Sequence, residues 1–407
     1  MRIGLIAPPW VPVPPPGYGG TEAVVDNLAR GLTELGHDVR LFTVGESTCP
    51  VPRLSLFAGC AAPMGFGTAE AAHVLAAYQA LADVDLIHDH TALGPLLAMQ
   101  AGQPRPPVVT THHGAFTPEN LRIFAEIAKR AAIVAISRDQ ASRAGRIPIT
   151  AVIHHGIDLD VYQPGPGDGG YLLFVGRMSA EKGVAAAVRI AHASGRPLVL
   201  VSKIRSAAEW DYYQREVQPL LGPGDNLMTE PPLASLLQML QGATAQINPI
   251  TWPEPFGLVM AEALATGTPV LAFPHGAAPE IIDDGKTGFL CRDEADMVTA
   301  IGRVEQIDRT ECRAAAEQRF SLQRMARDYE HLYERLLDDP PGPGARHAVN
   351  TISRSLTPRA SDRATLTAEV HVDPALDVLR RAAGRGGRRR GGDPGRGLDV
   401  LHQRRSR

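Results

Sequence analysis

Cysteine, lysine and long apolar runs are all scarce in this chain of 407 residues. Its four cysteines lie far apart and form no CxxC pair, which argues against a zinc knuckle and a disulfide framework. We therefore expect a reducing, cytoplasmic setting. No run approaches the roughly 18 apolar residues that a transmembrane helix needs. The start, MRIGLIAPPW, predicts a first strand rather than a signal peptide, so any membrane contact should be peripheral, at the inner face.

Charge is distributed unevenly along the chain. The net charge is -3, yet the residues from Pro340 onward hold 14 Arg and no Lys against 6 acidic residues, which leaves about -11 on the rest. The negative body gives no sign of a nucleic-acid partner. Segments such as AGRGGRRRGGDPGRG cannot bury a core, so residues 340–407 are predicted to be a disordered tail. We interpret this tail as dispensable, with a basic arm for anionic lipid or nucleic acid as the alternative.

The first part of the chain alternates short apolar runs with helical patterns, which predicts parallel βα units. The predicted strands are Ile3–Ala7, Val39–Val44, Leu86–His88, Val108–Thr111, Ile133–Ser137 and Val152–His154. The predicted helices are Glu22–Leu35, Thr68–Leu81, Leu93–Gln100 and Pro118–Arg130. Residues 1–163 thus form a first Rossmann-like domain, which the Pro- and Gly-rich segment 163–170 separates from the rest.

A second set of the same kind follows from residue 171. Its predicted elements are the strands Tyr171–Val175, Leu198–Val201, Ala245–Asn248 and Pro269–Phe273, and the helices Leu233–Leu240 and Leu258–Thr266. The fold class is therefore α/β, with two Rossmann-like, doubly wound parallel sheets in residues 1–163 and 171–320. Ligands of such sheets bind outside the carboxyl ends of the strands, so we expect a site in the cleft between the two domains.

The segment GRMSAEKG, residues 176–183, follows an apolar strand and enters a helix. Arg177 presents a forked guanidinium and Lys182 a compact charge, and both suit phosphate oxygens beside free helix amides. Lysine provides only 4 of the 41 basic residues, which makes a lysine here informative. A solvated turn with two surface cations is the alternative interpretation.

Two carboxylates flank a predicted helix start in the run PEPFGLVMAE, residues 253–262. Glu254 lies between two prolines, which restrict its backbone, and Glu262 follows within the helix. Carboxylates accept hydrogen bonds from sugar hydroxyls, and first-turn amides bind anions. The amides beside Glu254 are those of Phe256, Gly257 and Leu258. A helix cap and a solvent-facing acid would be the structural alternative.

A glycine pair, Gly19 and Gly20, follows the first strand and precedes the first predicted helix. Glycines there let a phosphate approach the backbone closely. The spacing is not that of GxGxxG, although Glu46 after the second strand could imitate the ribose-binding acid of a dehydrogenase. That dehydrogenase interpretation is the weaker one.

Histidines gather at predicted strand ends, namely His88, His90, His112, His113, His154 and His155. A metal site of His88, His90 and His113 is conceivable, but loop histidines that bond a ligand are commoner, and we expect no metal. The DVD triplet at residues 83–85 resembles a metal-binding DxD but precedes its strand, at the wrong end of the sheet.

Taken in order, six motifs of residues 1–335 resemble those of the family 4 retaining glycosyltransferases of the GT-B fold. They are PGYGGTEAVVDNLARGLTELGHDV, THHG, HHGIDLD, FVGRMSAEKG, EPFGLVMAEALATGTPV and HGAAPEIIDDGKTGFL. The resemblance implies two domains facing across a cleft, the second binding a nucleotide sugar, often UDP-linked, and the first an acceptor. It also implies that residues 321–338 form a helix that crosses back to the first domain.

The resemblance assigns roles to the second domain. Arg177 and Lys182 would hold the diphosphate and stabilise its departure. Glu254, with the amides of Phe256–Leu258 beside it, would fix the hydroxyls of the transferred sugar, and Glu262 would contact the ribose. Such enzymes use no metal or cofactor, because cations and helix dipoles replace the ion.

The first domain would complete the site through Gly20, near the diphosphate, and through a histidine of Thr111–Gly114. His113 fits the family pattern best as the residue that touches the donor sugar, and His112 competes for that role. His155 stands where the family commonly has Asn, a change on the hinge side. The acceptor is left open among lipid, polysaccharide and small molecule. A catalytically silent sugar-nucleotide binder and a UDP-sugar epimerase are the alternative functions.

Overall fold

The computed structural model describes residues 1–338 except 18, 66 and 99–105. Its first sheet has seven parallel strands in the order β3-β2-β1-β4-β5-β6-β7. The elements are β1 (Arg2–Ile6), α1 (Gly20–Glu34), β2 (Asp38–Thr43), β3 (Arg53–Ser55), α2 (Gly67–Ala80), β4 (Leu86–Asp89), α3 (Gly94–Ala98), β5 (Val108–Thr111), α4 (Pro118–Ile127), β6 (Ala132–Ala135), α5 (Arg138–Ser142) and β7 (Ala151–Val152).

The second sheet has six parallel strands in the order β10-β9-β8-β11-β12-β13. Its elements are β8 (Leu172–Arg177), α6 (Val184–Ala193), β9 (Leu198–Lys203), α7 (Ala207–Tyr212), β10 (Asn226–Thr229), α8 (Leu233–Gly242), β11 (Ala245–Asn248), α9 (Leu258–Ala265), β12 (Val270–Ala272), α10 (Ala278–Ile281), β13 (Gly288–Leu290), α11 (Glu294–Ile301), α12 (Arg309–Phe320) and α13 (Leu322–Asp338). Short 3₁₀ turns lie at Ala180–Lys182, Gln218–Leu220 and Val304–Gln306, and a π-helical turn lies at Tyr213–Val217.

The predicted α/β class with two doubly wound parallel sheets is confirmed. The ends of the predicted elements differ from the observed ones by a few residues. Three short edge strands, β3, β10 and β13, were not predicted. All three residues of β3 are exposed, so that strand carries no apolar signal. The predicted helix Leu93–Gln100 lies partly outside the described residues, and the predicted tail 340–407 lies wholly outside them.

Helix α13 belongs to the core of the first sheet, although it follows the second sheet in the chain. Tyr329 and Tyr333 are fully buried there, among residues of β1, β2 and α1. A close approach of α13 to α1 requires Gly31, because a Cβ at that position would lie 2.8 Å from the Cβ of Ala326. The last described helix therefore completes the first hydrophobic core.

Two arginines of α12 hold the segment that joins the sheets. Arg309 donates hydrogen bonds to the carbonyl oxygens of Gly165 (3.0 Å) and Ala243 (3.1 Å). Arg313 donates to those of Tyr162 (2.6 Å) and Ala265 (2.9 Å). The joining segment is thereby fixed against the second sheet. Among the described residues, no helix combines the length and apolarity required to cross a bilayer.

Candidate functional site

A cavity of about 200 Å³ lies where the carboxyl ends of β5, β8 and β11 meet. Both parts of the chain line it. The first contributes Gly20, Thr21, His113 and His155, and the second contributes Val175, Gly176, Lys182, Asn248 and residues 254–259. Of the predicted site residues, the structure thus brings together Gly20, His113, Lys182, Glu254, Phe256, Gly257 and Leu258.

Glu254 is held at the cavity by its own backbone and by two side chains. Its carbonyl oxygen accepts from the amide of Ala277 at 2.9 Å. Its Oε2 accepts from Lys182 Nζ and from Trp252 Nε1, the latter at 2.8 Å. Lys182 Nζ also lies 5.2 Å from the centre of the Trp252 ring, a cation–π distance. The carboxylate is therefore oriented and its charge is balanced.

The backbone around Glu254 leaves no room for a side chain at Gly276. A Cβ there would lie 2.2 Å from the carbonyl oxygen of Glu254, and its φ of +59° favours glycine in any case. Gly257, with φ of +85°, directly precedes α9. Glycine at these two positions lets the loop turn sharply into the helix.

Two helix N-termini converge on the cavity. Helix α9 begins at Leu258 and α1 at Gly20, and neither has a side chain that caps it. Their starts are close, because a Cβ on Gly20 would lie 3.4 Å from Leu258 Cδ1. First-turn amides have no acceptor inside their helix, and the helix dipole adds partial positive charge. Together with Lys182, these ends have the chemistry to bind an anion.

The two candidate histidines differ in position. His113 lines the cavity, and its Nε2 lies 2.9 Å from His90 Nδ1. His112 points into the neighbouring apolar cluster, where its ring centre is 4.7 Å from that of Phe116 and its Nε2 is 3.1 Å from the carbonyl oxygen of Ala115. The geometry favours His113 over His112 as a residue that meets a ligand.

A larger cavity of about 360 Å³ adjoins the first and shares Gly20, Val175, Gly176 and Leu258 with it. Gly19 and Glu262 line it, together with apolar side chains such as Leu233 and Leu236. Burial raises the pKa of the Glu262 carboxyl to about 7, while a hydrogen bond from Tyr162 lowers it by less. Glu262 is one of four acidic residues that line this cavity, with Asp26, Asp158 and Glu230.

Arg177 lines neither cavity. Its guanidinium is 44% exposed and donates to Glu181 at 3.1 Å, and it lies 3.7 Å from Glu209. Among the predicted phosphate ligands, the structure places Lys182 in the site and Arg177 at the surface beside it.

Two residues at the site, Trp252 and Tyr162, were missed from the sequence, and His155 was named there only as a change on the hinge side. His155 lines the smaller cavity, and its ring stacks on His113 with centres 5.1 Å apart. Trp252 donates a hydrogen bond to Glu254, and Tyr162 donates one to Glu262. Trp252 directly precedes the PEP run, so its position was the available signal, whereas nothing in the sequence marks Tyr162.

The alternative sites look different in the structure. Asp83 and Asp85 pair with Arg40 (3.1 Å) and Arg2 (2.6 Å) at the amino ends of the strands, away from both cavities. Glu46 accepts from the Cys60 amide at 3.0 Å and lines neither cavity. In the part of the chain that the structure describes, no group of three or more His, Cys, Asp or Glu residues is arranged to hold a metal ion.

Comparison with known proteins agrees with this architecture. Residues 18–161 match the model of Glycosyltransferase Family 4, and residues 169–306 match that of Glycosyl transferases group 1. The D-inositol 3-phosphate glycosyltransferase of Thermobifida fusca is 26% identical over 74% of this chain and 85% of its own. The phosphatidyl-myo-inositol mannosyltransferase of Mycolicibacterium smegmatis is 26% identical over 74% of this chain and 83% of its own.

Solved structures show the same fold. AviGT4, a glycosyltransferase involved in avilamycin A biosynthesis, is 27% identical, covers 83% of this chain and 98% of its own, and has a TM-score of 0.63. HepE of Anabaena, in complex with UDP and glucose, is 20% identical, covers 82% of this chain and 99% of its own, and has a TM-score of 0.66. Since the two family models match the two sheets in chain order, the chain belongs to glycosyltransferase family 4 and has the GT-B fold.

Proposed function

We propose that this protein transfers a hexose from a UDP-linked donor to a hydroxyl of an acceptor, with retained anomeric configuration and without a metal ion. The observation that carries the proposal is the smaller cavity. There Lys182, Glu254 and two helix N-termini of the cleft meet His113 of the first domain. Each of these groups matches one part of a sugar diphosphate.

The diphosphate fits the junction of the two cavities. The starts of α1 and α9 supply amide donors and positive dipole ends, and Lys182 supplies a full charge nearby. Arg177 joins them when the diphosphate outcompetes Glu181, its exposed partner at 3.1 Å. These groups take the place of a metal ion, because they offset the charge that develops on the leaving phosphate.

The sugar fits the smaller cavity beside Glu254. The carboxylate accepts hydrogen bonds from sugar hydroxyls, and its remaining oxygen, Oε1, is free of the Lys182 and Trp252 bonds that Oε2 makes. His113 approaches from the opposite domain. A sugar held between these two residues has its reactive carbon near the phosphate that leaves.

The nucleoside fits the larger cavity. Glu262 accepts from ribose hydroxyls, and apolar side chains such as Leu233 and Leu236 cover a base. A UDP donor is supported by HepE, which has the same fold and was solved with UDP and glucose. Relatives named for inositol phosphate and phosphatidylinositol support a hydroxyl acceptor of the polyol kind.

The proposed reaction balances without a protein base. The acceptor oxygen bonds to the anomeric carbon on the face that the phosphate leaves, the bond from that carbon to the phosphate oxygen breaks, and the acceptor proton passes to the departing phosphate. Glu254 and Lys182 act by orientation and charge. The configuration is retained because attack and departure share one face.

The test begins with thermal shifts in a panel of UDP-, GDP- and ADP-linked hexoses, since a bound donor raises Tm by mass action. Donor hydrolysis and transfer to polyol phosphates follow, with and without chelator, and the anomeric configuration of the product is read by NMR. We expect Lys182→Ala and Glu254→Ala to lower kcat roughly 100-fold. Lys129→Ala is the control, because Lys129 is an exposed lysine paired with Glu126 on α4.

The outcomes separate the alternatives. Absence of binding and turnover with every donor, or variants equal to the parent, contradicts the proposal. Binding without hydrolysis or transfer indicates a silent binding protein. A donor whose sugar is altered without any acceptor indicates an epimerase. Loss of turnover with chelator contradicts the metal-independent mechanism, and an inverted product contradicts retention.

A further inference from the structure

His113 has a close neighbour, His90, that the proposed chemistry does not use. His90 follows β4 and His113 follows β5, and these strands are adjacent in the first sheet. His90 Nδ1 and His113 Nε2 lie 2.9 Å apart, and the ring planes meet at 35°. His113 lines the smaller cavity, whereas His90 is 4% exposed and lines neither cavity. His90 can therefore act on a ligand only through His113.

Both rings are neutral at neutral pH. Burial lowers the pKa of His90 and of His113 well below the ordinary value, and the neighbouring histidines lower it further. A neutral ring carries one proton, so the pair has two arrangements. Either His90 donates from Nδ1 and His113 carries its own proton on Nδ1, or His113 donates from Nε2 and His90 carries its proton on Nε2.

Two nitrogen atoms decide between these arrangements. His90 Nε2 and His113 Nδ1 are buried, and neither has a hydrogen-bond partner within the described residues. The second arrangement places an unmet N–H on His90, away from both cavities, and a buried unmet donor costs about 1–3 kcal/mol. The first moves the unmet N–H to His113 Nδ1, which is also buried, but the His113 ring lines the cavity, where a ligand can supply the acceptor. Each arrangement leaves one orphan donor, so their number does not decide; the first is favoured because a ligand in the cavity can relieve the cost on His113, whereas His90 lines neither cavity.

The ring of His155 does not remove this preference. It lies nearly parallel to the ring of His113, at 21°, with centres 5.1 Å apart. Ring nitrogens bond in the plane of the ring, so a ring stacked face to face is not an acceptor for His113 Nδ1–H. A proton on His113 Nδ1 therefore has no acceptor among the described residues.

The surroundings hold His90 in this orientation. Its ring centre lies 4.0 Å from that of His88. His88 is itself fixed at both nitrogens, by the Tyr333 hydroxyl at 2.6 Å and by Thr111 Oγ1 at 2.8 Å. Tyr333 belongs to α13, so the crossing helix supports the row of rings that ends at the cavity.

We propose that His90 is a positioning residue that donates Nδ1–H to His113 Nε2 and so fixes His113 as the Nδ1–H tautomer. The proton on His113 Nδ1 then donates to an oxygen of the transferred sugar. This second step rests on the proposed function, but the tautomer itself does not.

The tautomer is read directly by NMR of the full chain with ¹⁵N-labelled histidine and no ligand. Protonated and bare ring nitrogens have well separated ¹⁵N shifts, and His113→Asn identifies the His113 signals among those of the 14 histidines. We expect Nδ1 of His113 to be protonated and Nε2 to be bare. A protonated Nε2 overturns the proposal, whether or not the chain binds a nucleotide sugar.

The role of His90 is tested by two substitutions that differ only in a donor. His90→Asn keeps an N–H at the δ position, whereas His90→Leu fills similar space without one. We expect kcat of His90→Leu to fall about 10- to 100-fold with donor KM changed less than about threefold, and His90→Asn to recover most of the loss. His73→Leu is the control, since His73 is a buried histidine of α2 that lines neither cavity and should change Tm but not kcat.

Equal kcat in His90→Leu and the parent, or equal losses in the Asn and Leu variants, overturns the positioning role. If His90→Leu fails to fold, the parent spectrum still decides, because it reports the His113 tautomer directly. If no variant and no parent turns over any donor, the proposed function fails while the tautomer result stands on its own.

Discussion

The buried carboxyl of Glu262 predicts that donor binding strengthens as pH rises through neutrality. Burial raises its pKa to about 7. A ribose hydroxyl donates a stronger hydrogen bond to a carboxylate than to a neutral carboxyl. The ionised form grows from about a tenth at pH 6 to about nine-tenths at pH 8, so affinity for the donor should rise by up to about tenfold, or about 1.4 kcal/mol.

The two histidines that line the smaller cavity do not titrate in this window. Burial lowers the pKa of His155 to about 3, and that of His113 well below its ordinary value, so both stay neutral between pH 6 and 8. The diphosphate of a nucleotide sugar is esterified at both ends and keeps its charge over the same range. The slope with pH is therefore assigned to Glu262.

Titration calorimetry with a UDP-hexose at pH 6, 7 and 8 measures the effect. Glu262→Gln should bind about tenfold more weakly than the parent at pH 8, nearly as well at pH 6, and with no slope. Tyr162→Phe should move the midpoint to higher pH, because the Tyr162 hydrogen bond lowers the pKa of Glu262. Affinity that falls with pH, or a slope that survives in Glu262→Gln, would refute the reasoning.

Two further predictions concern packing around the site. Gly276→Ala should lower kcat about 100-fold with the fold retained, because its Cβ would lie 2.2 Å from the Glu254 carbonyl oxygen and must displace that residue. Gly224→Ala is the control, because a Cβ there would meet nothing within 4 Å. Circular dichroism checks that both variants fold, and kcat then distinguishes them. Tyr333→Phe should lower Tm by roughly 2–4 °C, because it removes the 2.6 Å hydrogen bond to buried His88 and leaves that nitrogen unmet. An unchanged Tm by calorimetry would show that this bond contributes nothing to stability.

The sequence predicted the buried strands well because a parallel strand covered on both faces is almost wholly apolar. Val108–Thr111 and Ala245–Asn248 match the structure residue for residue. The edge strands β3, β10 and β13 carry no such signal, since β3 and β13 have only three residues each and no residue of β3 or β10 is buried. Their pairing depends on the neighbouring strand rather than on their own side chains.

At the site, the sequence located the residues but not their contacts. Lys182 and Glu254 were given separate tasks, and the structure pairs them, because the loops after β8 and β11 end on the same edge of the sheet. Arg177 was placed with Lys182, yet the structure pairs it with Glu181, four residues on. Loop conformation and rotamer choice decided both contacts, and neither follows from spacing alone.

The crossing helix α13 also sets an order for biosynthesis. The core of the first sheet includes Met325, Tyr329 and Tyr333, which the ribosome adds after the whole second sheet. A nascent chain that has emerged only through β7 exposes the apolar surface that these side chains later cover. Because that first part lacks its last helix until translation nears residue 338, we expect it to engage chaperones longer than a domain of contiguous sequence does.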